Sequence, residues 1–114
     1  MTIQQVAEIL DARVLCCEDK LDTEVKTGFG ADMMSDVLAY VNGQGLMLLT
    51  GLINPQVVRT SEMMDITCIV FVRGKIPEIP VIELASARGI VLLTTQHRMF
   101  GACGKLYSAG ITAG

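Results

Sequence analysis

The chain has 114 residues, a formal net charge of −3 and a sequence pI of about 5.0, and its length predicts a single domain over residues 1–114. Hydrophobic residues make up 51% of the chain and charged residues 18%, which excludes an intrinsically disordered segment. The acidic balance also excludes a nucleic-acid-binding protein, because phosphate binding needs clustered Lys and Arg.

The first part of the chain predicts a helix followed by two short strands. Thr2 and Gln5 fit a capping box at the start of a helix over residues 2–10. One face of this helix carries four apolar residues, namely Ile3, Val6, Ala7 and Leu10. Strands are predicted at Arg13–Cys17 and at Glu24–Thr27, and the second one is closed by a tight glycine turn over residues 28–30.

The next element is a helix that Asp32 is predicted to cap. Five apolar residues recur at helical spacing after it, namely Met33, Met34, Val37, Leu38 and Val41. The apolar run Leu46–Leu49 then predicts a buried strand. Asn54 followed by Pro55 predicts the start of a helix that ends near residue 65.

Two further apolar strands follow, each with a helix after it. They are Cys68–Val72 and Ile90–Leu93. Pro77 and Pro80 lead into the helix between them, and Gly89 is predicted to end it. The last helix is predicted to carry five residues on one side, namely Met99, Phe100, Cys103, Leu106 and Tyr107.

Strands that are apolar throughout, without alternation, are typical of a parallel sheet buried on both faces. Their alternation with helices predicts βαβ units. The predicted fold class is therefore α/β, a small three-layer domain with a mainly parallel sheet of 4–5 strands flanked by helices.

The candidate binding site follows from this topology, because ligands of open parallel sheets bind outside the carboxyl ends of the strands. Residues of several strand ends and helix starts meet there, with two cations and several hydroxyls that suit an anion or a nucleotide phosphate. These residues, which we call the rim, are Thr50, Gly51, Asn54, Arg73, Gly74, Lys75, Thr94, Thr95 and His97. The simpler interpretation is that these loops are polar only because they face solvent.

No motif of a catalytic site is complete. Gly28-Phe29-Gly30 lacks the third glycine of a dinucleotide fingerprint, because Met33 stands at that position. The run over residues 101–106 lacks the spacing of a phosphate loop. His97 has no nucleophile or orienting partner nearby in the sequence, so it is interpreted as a polar residue of a helix start. No catalytic residue is predicted.

The seven methionines indicate an interaction surface. In the pairs Met33-Met34 and Met63-Met64, core packing explains one member, and the second lies nearer the helix edge. Because methionine is common at adaptable binding surfaces, a homodimer or a protein partner is predicted.

Neither a membrane nor a metal is predicted as a partner. The N-terminal residues 1–5 lack the features of a secretory signal, and the longest apolar runs fall short of the roughly 20 residues that span a bilayer. The four cysteines, Cys16, Cys17, Cys68 and Cys103, have no ligand-like spacing and are interpreted as small apolar residues. We therefore expect a cytoplasmic protein without a bound metal.

The order of these segments resembles the DRTGG domain family over residues 2–110. The resemblance depends on Thr27–Asp32 before a helix, on Thr50-Gly51 at a strand end, and on the segments Ile69–Pro77 and Gly89–Thr95. The chain lacks the Asp-Arg-Thr run that gives the family its name.

The resemblance implies a small α/β domain that often forms a homodimer and has no established reaction of its own. Such domains occur alone or beside CBS domains, phosphotransacetylases and pyrophosphatases, and they are related to the N-terminal domain of a bacterial serine kinase/phosphorylase. Stand-alone copies are associated with bacterial iron-hydrogenase gene clusters, which implies a protein partner in a metabolic or hydrogenase-linked system.

Two functions are therefore expected. The first is a non-enzymatic, cytoplasmic regulatory or assembly module that homodimerises through an apolar helical surface. The second is a sensing domain that binds a small ligand, an adenine nucleotide or another anion, at the rim. An enzyme of phosphoryl transfer is the weakest alternative, because no Mg²⁺-binding carboxylate accompanies the rim.

Overall fold

The computed structural model describes residues 1–114 and contains five α-helices and six strands. In chain order the elements are α1 (Ile3–Ile9), β1 (Arg13–Cys16), β2 (Thr27–Gly30), α2 (Met34–Tyr40), β3 (Leu46–Thr50), α3 (Pro55–Met63), β4 (Cys68–Phe71), α4 (Ile79–Ala87), β5 (Val91–Thr94), α5 (Met99–Ser108) and β6 (Thr112–Ala113). A short 3-10 helix, Glu18–Lys20, follows β1.

All six strands form one sheet in the order β1-β5-β4-β3-β2-β6. Strand β1 runs antiparallel to β5, and every other neighbouring pair is parallel. The α/β fold with a mainly parallel sheet is thus confirmed, although the sheet has six strands and not the predicted 4–5. The additional strand is β6, whose two residues are too few to give a sequence pattern.

The sheet is buried between two layers of helices, as its apolar strands predicted. On one face of the sheet, α1 and α5 pack against strand side chains such as Met47 and Val70. On the other face, α2, α3 and α4 pack against the alternate side chains, such as Leu48 and Phe71. Every residue of β3, β4 and β5 is buried because helices cover both faces of these strands.

Three predicted helix boundaries are confirmed. Thr2 and Gln5 form the complete capping box of α1. Asn54 is the N-cap residue of α3, with Pro55 at the first helical position. Gly89 follows α4 with a φ of 69°, a left-handed conformation that glycine adopts without steric cost.

The segment from Glu24 to Gly30 differs from the prediction. The strand lies at Thr27–Gly30, whereas Glu24 forms only an isolated bridge with Thr2. Gly28 and Gly30 do not form a tight turn with positive φ; they are strand residues paired with β3. Long-range packing explains the glycines, because a Cβ at Gly28 would lie 3.2 Å from Ile111, and one at Gly30 would lie 3.1 Å from both Met99 and Cys103.

Two helices also differ from the prediction. Met33, not Asp32, occupies the N-cap position of α2, and both Met33 and Leu38 are exposed. In α5, Leu106 is buried, whereas Phe100 and Tyr107 point into solvent and do not join the core. For both methionine pairs one member packs in or against the core, Met34 and Met64, as predicted. None of the helices is long and apolar enough to cross a membrane.

Candidate functional site

The carboxyl ends of β3, β4 and β5 lie side by side and hold most of the rim. Thr50 at the end of β3 is paired with Phe71, and Phe71 is paired with Thr94 at the end of β5. The chain leaves β4 towards α4 on one face of the sheet and leaves β5 towards α5 on the other. Open α/β sheets bind their ligands outside the carboxyl ends of their strands, which is where the rim lies.

The loops that follow β4 and β5 are hydrogen-bonded to each other across this position. The Arg73 N–H donates to the His97 carbonyl at 2.8 Å, and the Gly74 N–H donates to the Thr95 carbonyl at 2.8 Å. Arg73 and Gly74 both have positive φ, 59° and 67°, which turns the chain sharply after β4. These two amides hold the loops together, so their N–H groups are not free to bind a ligand.

The three threonines of the rim use their hydroxyls inside the protein. The buried Thr95 hydroxyl donates to the Leu10 carbonyl at 2.7 Å, and the Thr94 hydroxyl donates to the Lys75 carbonyl at 2.7 Å. The Thr50 hydroxyl points to the Asp32 carboxylate at 3.4 Å. The threonines therefore connect the strand ends to neighbouring loops.

Arg73 and Lys75 are the charged side chains of the rim that face solvent. Neither forms an ion pair, since the ion pairs of the structure join the N-terminus to Glu24 and Arg88 to Glu62. The Arg73 guanidinium lies against Gly51, where any Cβ would overlap it. The absence of a side chain at position 51 thus leaves room for the guanidinium beside the end of β3.

Two residues of this surface were not predicted. Asp32, expected to cap α2, accepts a hydrogen bond from the Gly51 N–H at 2.7 Å, so a carboxylate does lie beside the rim, contrary to the expectation from the sequence. Gln96 lies over Gly74, where a Cβ would be 2.8 Å from its amide oxygen. No sequence signal identifies either residue, because both contacts join separate strand ends.

Asn54 and His97 lie at the edges of this surface. Asn54 is exposed at the start of α3, and its side chain makes no capping hydrogen bond. The His97 side chain is half-buried, and its backbone N–H donates to the Thr95 hydroxyl at 3.3 Å. No three His, Cys, Asp or Glu side chains converge anywhere in the structure as metal ligands would. With two unpaired cations, the arrangement is suited to holding an anion.

A second surface feature is a groove of about 310 Å³ between α5 and strands β2 and β6. Its lining is mostly apolar: Gly28, Phe29, Gly30, Leu49, Phe100, Cys103, Gly104, Leu106, Tyr107, Ile111, Thr112 and Ala113. Phe100 and Tyr107 at its border are 92% and 72% exposed. Such exposure of two large aromatic side chains beside an apolar groove is typical of a binding surface.

The cysteines are free thiols. Burial raises the pKa of Cys16 to about 11, and its thiol donates to the Ile90 carbonyl at 3.3 Å. Burial also raises the pKa of Cys103, and it raises the pKa of Cys68, the one fully buried cysteine, further still. The expectation of buried apolar cysteines therefore applies to Cys68, while the other three are partly accessible.

We expect the burial of Cys68 to make the protein less stable in alkali. In the unfolded chain the Cys68 thiol loses its proton near its ordinary pKa of 9.0, whereas burial raises this pKa in the folded chain, so the folded chain keeps the proton. The stability that Cys68 contributes is therefore fully present below that pH and is lost as the pH rises above it. The free energy of unfolding should drop by about 2 kcal/mol more than in Cys68→Val between about pH 8.5 and pH 10.5. Urea unfolding at both pH values measures this difference, and parallel losses in the two proteins would contradict it.

Comparison with known proteins identifies the fold. The sequence model of the DRTGG domain matches residues 5–109. A solved structure, the CBS and DRTGG domains of the regulatory region of Clostridium perfringens pyrophosphatase complexed with the activator diadenosine tetraphosphate, is similar with a TM-score of 0.74 and 19% sequence identity. The similarity covers 98% of this chain and 50% of that chain. No curated protein sequence matches.

Proposed function

The chain belongs to the DRTGG domain family, and we propose that it is a cytoplasmic, non-enzymatic regulatory or assembly module that works as a homodimer. The observation that carries this proposal is the exposed apolar surface of α5, where Phe100 is 92% exposed. An aromatic side chain of this kind buries 150–250 Å² when it is covered, which favours association. The regulatory role is supported by the similar domain of the pyrophosphatase, which lies in a regulatory region.

Sedimentation velocity over a range of concentrations tests the homodimer. The expected species at about 100 µM has twice the 12.3 kDa of one chain, and dilution should release the monomer because association follows mass action. A single 12.3 kDa species throughout that range would overturn the proposal.

Ligand sensing at the rim is the second candidate function, and the free guanidinium of Arg73 favours it. Arg73 and Lys75 face solvent at the strand ends without carboxylate partners. An arginine that presents its planar donors to solvent is well suited to a phosphate group. That the pyrophosphatase structure contains diadenosine tetraphosphate supports an adenine nucleotide as the class of ligand.

If the rim binds such a ligand, replacing both Arg73 and Lys75 by alanine should weaken the binding of diadenosine tetraphosphate about 100-fold or more, since each contact to a charged group contributes about 1.5–3 kcal/mol and every 1.4 kcal/mol or so is tenfold in affinity. Isothermal titration calorimetry measures the affinity. The matched control is Arg59→Ala with Lys26→Ala, which removes the same charges from exposed positions in α3 and before β2. Equal losses in the two double variants, or no loss in the rim variant, would contradict the rim as the site.

A further inference from the structure

Cys16 and Cys17 turn their thiols towards the same element, although neighbouring residues of a strand point to opposite faces of a sheet. Cys16 is the last residue of β1. Cys17 follows it with φ 62° and ψ 45°, a left-handed conformation that is uncommon for residues other than glycine and that ends the alternation of the strand. Both side chains can therefore lie against one neighbouring helix.

That helix is α4, and both thiols lie at its end. The Cys16 thiol donates to the Ile90 carbonyl at 3.3 Å, and the Cys17 thiol lies 4.0 Å from the Ser86 carbonyl. The two carbonyls belong to one turn, since the Gly89 N–H also donates to the Ser86 carbonyl at 3.2 Å. Burial is the main cause of the raised pKa of Cys16, and the neighbouring Cys17 thiol raises this pKa further. Because thiols affect each other in this way only at short range, the two sulfurs are neighbours.

This pair of thiols, which we call the dithiol, is accessible and lies away from the rim. Cys16 and Cys17 are both partly exposed, in contrast to the fully buried Cys68. The carbonyls beside the dithiol precede β5, so the dithiol lies at the opposite end of this strand from Thr94. A ligand of the dithiol would therefore leave the rim free.

The number of available ligands decides which kind of ion fits. No group of three or more His, Cys, Asp or Glu side chains is placed to hold a metal ion, so the dithiol does not suit zinc, which takes four ligands in structural sites. Sulfur ligands select soft, thiophilic ions. Trivalent arsenic that already carries one organic group needs only two sulfurs to complete its three bonds. The dithiol offers that number of sulfurs.

A disulfide within the dithiol is disfavoured by the short distance between consecutive residues. Consecutive Cα atoms are about 3.8 Å apart across a trans peptide, whereas the Cα atoms of a disulfide are usually about 4.4–6.8 Å apart. An ion between the two sulfurs avoids this conflict, because the sulfurs then need not be bonded to each other.

We propose that Cys16 and Cys17 form a binding site for a thiophilic ion that takes two sulfur ligands, namely trivalent arsenic with one organic group. In the reaction with the hydrated arsenical, R–As(OH)₂, each sulfur forms one bond to arsenic while one As–O bond breaks. Each thiol proton leaves with a hydroxyl group as water, and arsenic keeps its oxidation state. The product is uncharged, which suits a half-buried position beside two carbonyls.

Phenylarsine oxide is the probe, and intact-mass spectrometry gives the readout. The Cys103→Ser protein is used because it lacks the other partly exposed thiol. With equimolar reagent it should bind one phenylarsenic group per chain, which leaves only the buried Cys68 thiol unreacted in the folded protein. Dimercaptopropanol should remove the group, whereas the same concentration of a monothiol should not. The proposal is overturned if no adduct forms, or if the monothiol removes it as readily.

Cys17→Gly in the same background tests the second sulfur, because glycine accepts the positive φ of this position without strain. Competition with dimercaptopropanol should show an affinity about 10²- to 10⁴-fold lower, the range that a second linked contact contributes. The matched control is Asp11→Gly, the same change at another left-handed position with φ 49°, and it should bind as its parent does. Cys17→Ser, which nearly keeps the side-chain volume, should lose as much affinity as Cys17→Gly. Equal affinities of the Cys17 variants and Asp11→Gly would rule out the dithiol as the site.

Discussion

Replacing Phe71 by alanine should lower the free energy of unfolding by about 3–5 kcal/mol, the range for a buried aromatic in a tightly packed core. Phe71 is 0% exposed, and among the fully buried side chains it has the largest volume. It lies on β4 and faces the layer of α2, α3 and α4. Because small domains have a total stability of only about 5–15 kcal/mol, this single cavity would remove a large fraction of it.

Urea unfolding followed by circular dichroism measures this loss at a fixed protein concentration. Tyr40→Ala is the control, since it also removes an aromatic ring, but from a side chain that is 71% exposed; its effect should stay within about 0.5 kcal/mol. A loss below about 1 kcal/mol for Phe71→Ala would mean that β4 is not at the centre of the sheet, where packing from both faces makes cavities costly.

The central position of β4 illustrates which parts of the fold the sequence predicts well. The runs that became β3, β4 and β5 are apolar throughout, and this property follows directly from being covered on both faces. Their connecting helices begin and end at Asn54-Pro55 and Gly89, which are local signals. Where a boundary is set by nearby residues, a single sequence is sufficient to find it.

The predictions that were wrong concern residues whose partners are distant in the chain. Gly28 and Gly30 are strand residues because Ile111 and Cys103 pack over them from a distance of more than seventy positions. The strand β6 exists because residues 112–113 pair with the exposed edge of β2. Phe100 has the helical spacing of a core residue, yet its side chain lies beside the groove and is exposed to solvent. None of these contacts has a local pattern.

The sequence predicted that the rim residues gather at one edge of the sheet, but it did not predict the contacts among them. Parallel strands place their carboxyl ends together, so topology alone brought Thr50, Arg73 and Thr94 to one edge. The sequence could not indicate that Asp32 binds the Gly51 N–H or that the threonine hydroxyls turn inward. The cations of the rim thus remain available to a ligand, while its buried hydroxyls are already hydrogen-bonded.

Thr95 tests whether a buried hydroxyl of the rim serves the fold or a ligand. We expect Thr95→Val to lower the free energy of unfolding by about 1–3 kcal/mol. Valine keeps the shape of the side chain, which is 2% exposed, but has no hydroxyl for the Leu10 carbonyl and the His97 N–H. The Leu10 carbonyl follows α1, so the lost hydrogen bond is one that joins β5 to the α1 layer.

Two controls separate this loss from a general effect of removing a hydroxyl. Thr112→Val removes an exposed hydroxyl on β6 that lies 3.4 Å from the Lys26 carbonyl, and it should change stability by no more than about 0.5 kcal/mol. Thr95→Ser keeps the hydroxyl and should retain most of the stability that Thr95→Val loses. If Thr95→Val unfolds at the same urea concentration as the unchanged protein yet binds diadenosine tetraphosphate more weakly, the hydroxyl serves a ligand and the structural role is wrong. Loss of the hydrogen bond to Leu10 cannot weaken ligand binding while leaving the stability unchanged, because that bond is broken only at a cost in folding free energy.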